Sequence, residues 1–429
     1  MKKVISTLLV FSMLAVYLSI GVVAAGKTDY TIINPYENVN WDTFKTYKAN
    51  LHTHTAASDG ELTLTEMVQA YYEKDYDILA ITDHGVINTG WRDDRETYPI
   101  FNSFRKFEPM SEDDYQRITT GSDRGGRGMI DIPGGIECNM AVISKTHVNG
   151  YFTTYGSGVG GRENDYKTAT VEIEKAGGYS VLNHVGDWVD SENHPERAHY
   201  DSFITYFTDI FTTSKSCLGM EIINNTDRVT REDRVLWDEL LEVVIPTGRN
   251  IWGFADDDSE SLGDVGRSFE LFPLEENTVE NVKNAMVNGS FFAASKYDKT
   301  IRGGETEGDS YVPVVSNIIV DQEENTITVE VDPSRDCSKI EWVSNGEVFS
   351  DDFKIDLNNF ENKLGCYVRF KLFGSGGVTY SQAFELKYDG RTDSETPQNS
   401  LSEKDNMLYQ NIVVALISLI IEKITGLFN

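Results

Sequence analysis

Positive charge is what this chain most lacks. Its 38 Lys and Arg face 69 Asp and Glu, a formal net charge of −31 over 429 residues. Such a surface repels phosphate backbones, which argues against a duplex nucleic-acid partner. A small anionic substrate stays compatible with it, because bound divalent cations reverse the potential locally. Cysteine is also scarce. Cys138, Cys217, Cys337 and Cys366 have no zinc-ribbon spacing. Cys337 and Cys366 either pair as a disulfide, as an exported chain permits, or remain two buried thiols. No internal repeat is visible. Histidine numbers seven, yet His52, His54, His84, His147 and His184 all fall in short motifs beside Asp or Glu. Composition alone would not cluster them so, and the pattern points to a carboxylate-assisted metal site.

The chain is long enough for two domains plus terminal segments, and 40% hydrophobic residues with 11% aromatics suffice for large cores. Lys2 and Lys3 precede an apolar run from Val4 to Val23, and small residues follow at Ala24 and Ala25. Residues 1–25 therefore read as a signal peptide, and the run's length keeps an uncleaved membrane anchor as the alternative. The protein is expected to be exported, to the cell envelope or beyond. No cysteine follows the run to carry a lipid.

Residues 26–45 form a polar leader. Residues 46–300 alternate strand-type and helix-type runs. Tyr47 to His52, Ile78 to Thr82, Tyr179 to His184, Gly219 to Ile223 and Ile251 to Phe254 read as strands. Thr63 to Lys74, Thr168 to Ala176, Arg231 to Val243 and Thr278 to Val287 read as helices. Leu64, Met67, Val68 and Tyr71 share one face of the first. Strands alternating with helices predict βα units and parallel pairing. Residues 301–313 read as a linker. Residues 314–389 hold five short β-type runs between turns, a small sandwich by their spacing. Residues 390–406 are polar and read as a flexible linker. The apolar tail, 407–429, reads as membrane-associated or as a helix packing on another chain. Its apolar part would span about 25 Å as a helix, short of a hydrocarbon core of about 30 Å.

The densest motif is Leu51-His52-Thr53-His54, followed by Ser58-Asp59-Gly60. On a strand, positions i and i+2 share a face, so one strand end can present both imidazoles to one ion. The Ser-Asp-Gly turn can bring Asp59 back toward them. The next strand ends in Asp83-His84, with Asp83 placed to orient a ligand. Two consecutive strands with histidines at their C-terminal ends suit a barrel-type metal site. Cys138, next to Glu137, would face the other way, into the core. Arg162, Arg231, Arg249 and Arg267 are candidate phosphate clamps. Arg267 leads them because it follows an acidic run closely. His194 and His199 sit in a polar, loop-like segment and read as solvent-exposed.

Ala49 to His84 resembles the first two motifs of the PHP family, named for its polymerase and histidinol-phosphatase members. Gly134-Gly135-Ile136-Glu137, Thr146-His147, Asn183-His184 and Ala255-Asp256-Asp257-Asp258-Ser259-Glu260 resemble its later motifs in the expected order. The resemblance spans about Lys48 to Ala294. It implies a distorted (βα)7 barrel with two or three divalent metal ions (Zn, Mn, Fe or Mg) at the C-terminal strand ends. His52, His54, Glu137 and Asp258 would hold one ion. Glu137 would bridge to a second, held by His147 and His184. Asp59, His84 and Glu260 would hold a third. The chain departs from the pattern at Glu260, where a histidine is usual. Three aspartates precede that position, and spacing to Glu260 favours Asp258.

The 314–389 unit resembles immunoglobulin-like domains appended to exported family members. The function implied is a metal-dependent phosphoesterase acting on a small phosphorylated substrate through a metal-bridging hydroxide. A phosphomonoester is preferred to a diester, and Glu137, His52, Asp258 and Arg267 are the catalytic candidates. The alternatives are a non-catalytic metal-containing surface protein and a nuclease.

Overall fold

The computed structural model describes residues 28–93, 108–139, 144–156, 165–297 and 311–389. The signal at 1–25, Arg162, most of the 301–313 linker and the segments 390–406 and 407–429 lie outside the described residues. Among the described residues no helix is long and apolar enough to cross a membrane.

Along the chain, β1 (Thr31–Ile33) and β2 (Lys45–Asn50) precede α1 (Leu64–Glu73). Helix α1 starts where a capping box allows: Thr63 accepts from the Glu66 backbone, and the Glu66 side chain returns to Thr63. This satisfies two N–H groups that would otherwise lack partners. Leu64, Met67, Val68 and Tyr71 form its buried face, as their spacing predicts. Then come β3 (Ile78–Leu79), α2 (Glu112–Thr120), β4 (Ile130–Asp131), β5 (Ile136–Cys138), β6 (Val148–Tyr151), α3 (Tyr166–Lys175) and β7 (Tyr179–Leu182). The short α4 (Val185–Val189) and α5 (Asp201–Thr213) lead to β8 (Cys217–Asn224) and α6 (Asp233–Val244). Next are β9 (Trp252–Asp256), β10 (Ser268–Leu274), α7 (Val279–Asn288) and β11 (Phe292–Ser295). The remainder is all β: β12 (Val315–Asp321), β13 (Thr326–Val331), β14 (Lys339–Ser344), β15 (Glu347–Ser350), β16 (Lys354–Asp356), β17 (Tyr367–Gly374), β18 (Gly377–Tyr380) and β19 (Phe384–Lys387).

The strands form three open sheets. One holds β5-β6-β7-β8-β9, parallel from β7 to β9 and antiparallel on either side of β6. Another, of eleven strands, runs β1-β19-β17-β18-β11-β10-β2-β3-β4, with β14 and β15 branching from β17. The third is β12-β13-β16. The expected distorted (βα)7 barrel is therefore not closed by its ladders. Two isolated parallel bridges, Thr53 with Ser259 and His84 with Glu137, tie the first two sheets together just past their strand ends.

The C-terminal strands also differ from the expected separate immunoglobulin-like sandwich. Strand β18 pairs with β11, Ala293 opposite Tyr380, and β1 from the leader pairs with β19. One apolar cluster accordingly runs from Met67, Tyr71 and Phe269 through Phe292 to Trp342, Phe370 and Phe384. Gln382, fully buried, both accepts from Gly253 N–H and donates to Gly253 O, each at 2.8 Å, and so covers the edge of β9. A backbone edge buried without such partners would be costly. No disulfide joins the four cysteines: Cys138, Cys217 and Cys366 are buried and Cys337 is half-buried.

Candidate metal centre

The strand ends converge. His52 and His54 leave β2 on the same side, held by the Thr53–Ser259 bridge and by the His54 N–H donated to Ser259 O at 2.9 Å. Their Nε2 atoms lie 3.1 Å apart, and each is 3.1 Å from Asp258 Oδ1. Glu137, on β5, sits at the middle. Its Oε1 is 3.3 Å from His52 Nε2 and 3.1 Å from His147 Nδ1, and its Oε2 is 3.2 Å from His54 Nε2 and 3.0 Å from His84 Nδ1. His184 Nε2 completes the group, 3.2 Å from His147 Nδ1.

Asp59 returns toward the cluster through a turn that needs Gly60. A Cβ there would come within 2.8 Å of the His54 and Thr55 backbone. Asp59 then stands 3.3 Å from His84 Nε2 and 3.4 Å from His54 Nδ1. The Asp83 carbonyl accepts the Glu137 N–H at 3.3 Å. Its carboxylate accepts from Thr55 N–H, Thr55 Oγ1 and Ser58 Oγ, so it holds the turn that carries Asp59.

Three donor groupings result: His52, His54 and Asp258; His54, His84 and Glu137; Glu137, His147 and His184. Within each, the ligand atoms lie within 4.8 Å of one another. Neither Asp59 nor Glu260 joins a grouping, although both line the same cleft. Of the three consecutive aspartates only Asp258 enters. Asp256 accepts from Leu51 N–H at 2.6 Å, and Asp257 accepts from the backbone of Gly266, Arg267 and Ser268. Those two hold backbone.

The donor set fits divalent cations. Glu137 Oε2, His84 Nδ1, His147 Nε2 and His184 Nδ1 are buried without hydrogen-bond partners, and buried polar atoms in folded proteins are otherwise paired. His84 Nδ1 and Glu137 Oε2, only 3.0 Å apart, lack hydrogen-bond geometry toward each other, as expected of atoms directed at a shared third point. Imidazole nitrogens with carboxylate oxygens suit Zn, Mn or Fe. His184 (φ 27°) and Asp258 (φ 45°) hold left-handed backbone that non-glycine residues rarely adopt, strain of the kind that collects at functional sites.

Electrostatics agree. Burial opposes a charge on His52 and His54, but the surrounding carboxylates outweigh it and raise both well above the usual imidazole range. The same contest lifts His184 to about 9, while burial wins at His147 and lowers it. Burial would raise Glu137 and Asp258, yet the neighbouring imidazoles hold both carboxyls well below the usual range. Glu260, exposed at the cleft wall, is raised by partial desolvation and by the nearby Asp59 and Asp258 carboxylates.

A cleft of about 460 Å³ opens over the cluster, walled by Asp187, Asn225, Thr226, Arg228, Asp264 and Arg267 among others. Arg267 donates to Asn225 Oδ1 and, at 2.6 Å, to Asp264 Oδ1. Arg231 is exposed and does not line the cleft. Arg249 donates to the carbonyls of Lys215 and Cys217, at the start of β8 and so at the opposite end from the site. His194 and His199 pair with surface carboxylates.

Residues 50–248 match the PHP domain family. The match covers under half of the chain, and the Ala255 to Glu260 motif falls beyond it. The PHP stretch thus holds seven of the site residues expected from the sequence, all except Asp258, Glu260 and Arg267. A comparison with curated proteins gives no match. Among solved structures, one similar chain is a two-domain protein from Bacteroides vulgatus containing a predicted PHP-like metal-dependent phosphoesterase. It is 15% identical, with 82% of this chain and 98% of that chain covered and a TM-score of 0.42. A lesion-specific endonuclease from Pyrococcus furiosus is also 15% identical, covering 57% of this chain and 56% of that one, with a TM-score of 0.34. An amidohydrolase from Chromobacterium violaceum matches at 15% identity over 50% of this chain and 88% of that one, with a TM-score of 0.29. Likenesses at this level carry no functional argument.

Sequence reasoning missed two residues at the site. Arg228 lines the cleft with a side chain 66% exposed. Glu221 lies beneath the cluster, fully buried. Its signal was available: it is the single charge within the otherwise uncharged strand β8.

Proposed function

We propose that this protein is a metal-dependent phosphoesterase hydrolysing a small phosphorylated substrate, a phosphomonoester rather than a diester. The observation that carries the reading is the convergence of both Glu137 oxygens on four imidazoles from separate strand ends. His52, His54, Glu137 and Asp258 would hold one ion, and Glu137, His147 and His184 a second. His84 and Asp59 are the nearest donors for a third, with Glu260 at the cleft wall. Seven strands meet around the site if the two isolated bridges are read as closing a ring, which supports a distorted barrel.

When bound, the cations supply a nucleophilic water near neutral pH and neutralise phosphate oxygens. The chain's own contribution is placement. Glu137 and Asp258 fix the spacing of the imidazoles. Arg267, on the cleft wall, would take a phosphate oxygen, and Arg228 could take another. Burial of the cluster keeps bulk water from screening these charges. A cleft of this volume suits a small ester, and the net charge of −31 disfavours a duplex substrate.

The reading extends to location: the N-terminal signal supports export to the envelope or beyond, with the apolar tail as a membrane contact. A second reading, a non-catalytic metal-containing surface protein, draws on Glu260, a carboxylate where the family pattern has histidine. The test is phosphate release from a broad panel of phosphoesters by protein loaded with Mn, Zn or Mg, beside His54→Ala. Turnover lost in the variant supports the hydrolase. Silence from folded, metal-loaded protein favours the binding protein.

A further inference from the structure

Glu221 is a buried carboxylate beneath the cluster that contacts several candidate ligands and does not line the cleft. It sits on β8 with no exposure. Its Oε1 is 2.7 Å from His52 Nδ1. Its Oε2 accepts the backbone N–H of His184 at 2.6 Å and the Asn224 Nδ2–H at 3.0 Å. The Asn224 amide also lies 3.1 Å from Asp258 Oδ2. Three residues expected to hold metal, His52 and Asp258 from one donor grouping and His184 from another, are therefore tied to one carboxylate, Asp258 through Asn224.

We propose that Glu221 is a positioning residue that couples the two ion sites, a reading that rests on the metal centre proposed above. A carboxylate can only accept hydrogen bonds, so it requires the proton of His52 on Nδ1. That leaves the Nε2 lone pair free on the side facing Asp258 and Glu137. A carboxylate on the far nitrogen of a ligating imidazole fixes the tautomer and ring orientation and raises ligand basicity. The same carboxylate anchors the His184 backbone in its left-handed conformation, which has little intrinsic stability of its own. One side chain thus sets a ligand of the first ion through its ring and a ligand of the second through its main chain.

Glutamine is the sharp test because it keeps the shape and removes half of the accepting capacity. If its oxygen serves His184 and Asn224, its amide donates to His52 Nδ1 and drives the imidazole proton to Nε2, where it blocks the ligand. If its oxygen serves His52, the amide meets the His184 N–H donor head-on. Either orientation disturbs an ion site.

The experiment is Mn and Zn titration of the full chain by calorimetry, with metal content after dialysis, for wild type, Glu221→Gln and Glu221→Asp. Glu270→Gln serves as the control. Glu270 is equally buried and accepts the Ala255 N–H, but no hydrogen bond or ion pair joins it to a candidate ligand. The expected result is a loss of about tenfold or more in affinity at two sites in Glu221→Gln, partial recovery in Glu221→Asp, and near wild-type affinity in Glu270→Gln. The metal-induced rise in melting temperature should shrink in parallel, while the metal-free protein melts near the wild-type value. Undiminished binding of two ions by Glu221→Gln, or an equal loss in Glu270→Gln, overturns the proposal. Wild-type protein that binds metal tightly but hydrolyses no ester would sink the hydrolase reading and leave this one standing.

Discussion

Asp238 of α6 and Arg369 of β17 form a buried bidentate ion pair, Nε to Oδ1 at 2.7 Å and Nη2 to Oδ2 at 2.6 Å. Tyr367 donates to the same aspartate at 2.5 Å, and the guanidinium lies 5.0 Å from the Trp237 ring centre. Removing one partner strands the other charge away from water. Arg369→Met should cost about 3–5 kcal/mol in chemical denaturation. A loss below about 1 kcal/mol would mean that the C-terminal strands are not fastened to the site-bearing sheets through this pair.

The same helix reaches the site from its other end. Asp233 accepts the Gly186 N–H at 2.8 Å, two residues past His184, and Arg234 holds Asp227 bidentately at 2.9 and 2.8 Å. A Cβ on Gly186 would press into Val229 O, Asp233 Oδ1 and Ser191 Oγ. Gly186→Ala is therefore expected to push α4 off α6 and weaken metal binding at His184 by about tenfold, read by metal content after dialysis. Unchanged metal content would show that α4 can shift without moving His184.

Arg267 and Arg228 should matter for substrate rather than metal. Losing charge-assisted hydrogen bonds to a phosphate costs about 1.5–3 kcal/mol, so Arg267→Ala should lower kcat/KM about tenfold to a hundredfold with ion affinities intact. Steady-state kinetics beside metal titration decide it. If metal binding falls instead, Arg267 serves the loop through Asn225 and Asp264.

Metal and protons should compete. In the metal-free protein His184 titrates at about 9, above the unfolded value of about 6.5. Its contribution to stability is fully present below about 6.5 and is lost as pH rises through 9. Metal binding needs the neutral imidazole, so affinity rises over that window. Melting temperatures from pH 6 to 10 should fall without metal and hold or rise with it. A metal-free protein that gains stability toward pH 9 would contradict this charge balance.

Periodicity located the elements that bury one face. Helix α1 falls within one residue of its predicted bounds, and β13 coincides with its own. Helix α5 did not register because its Thr, Ile, Phe and Tyr content reads as strand. The pairing of β18 with β11 depends on contacts distant in sequence, which local patterning does not encode. At the site, residues in compact motifs were legible, whereas Glu221 and Arg228 belong to no motif. Glu221 acts through the ring of His52 and the backbone of His184, a relationship that exists only once β8 is placed.

The most direct test of the account is Glu137→Gln, analysed for metal stoichiometry by mass spectrometry and for phosphate release. Glu137 is the carboxylate shared by two of the three donor groupings. Its loss should remove two ions together and abolish turnover in a protein that still folds. Retention of both ions with wild-type turnover would contradict a carboxylate-bridged centre.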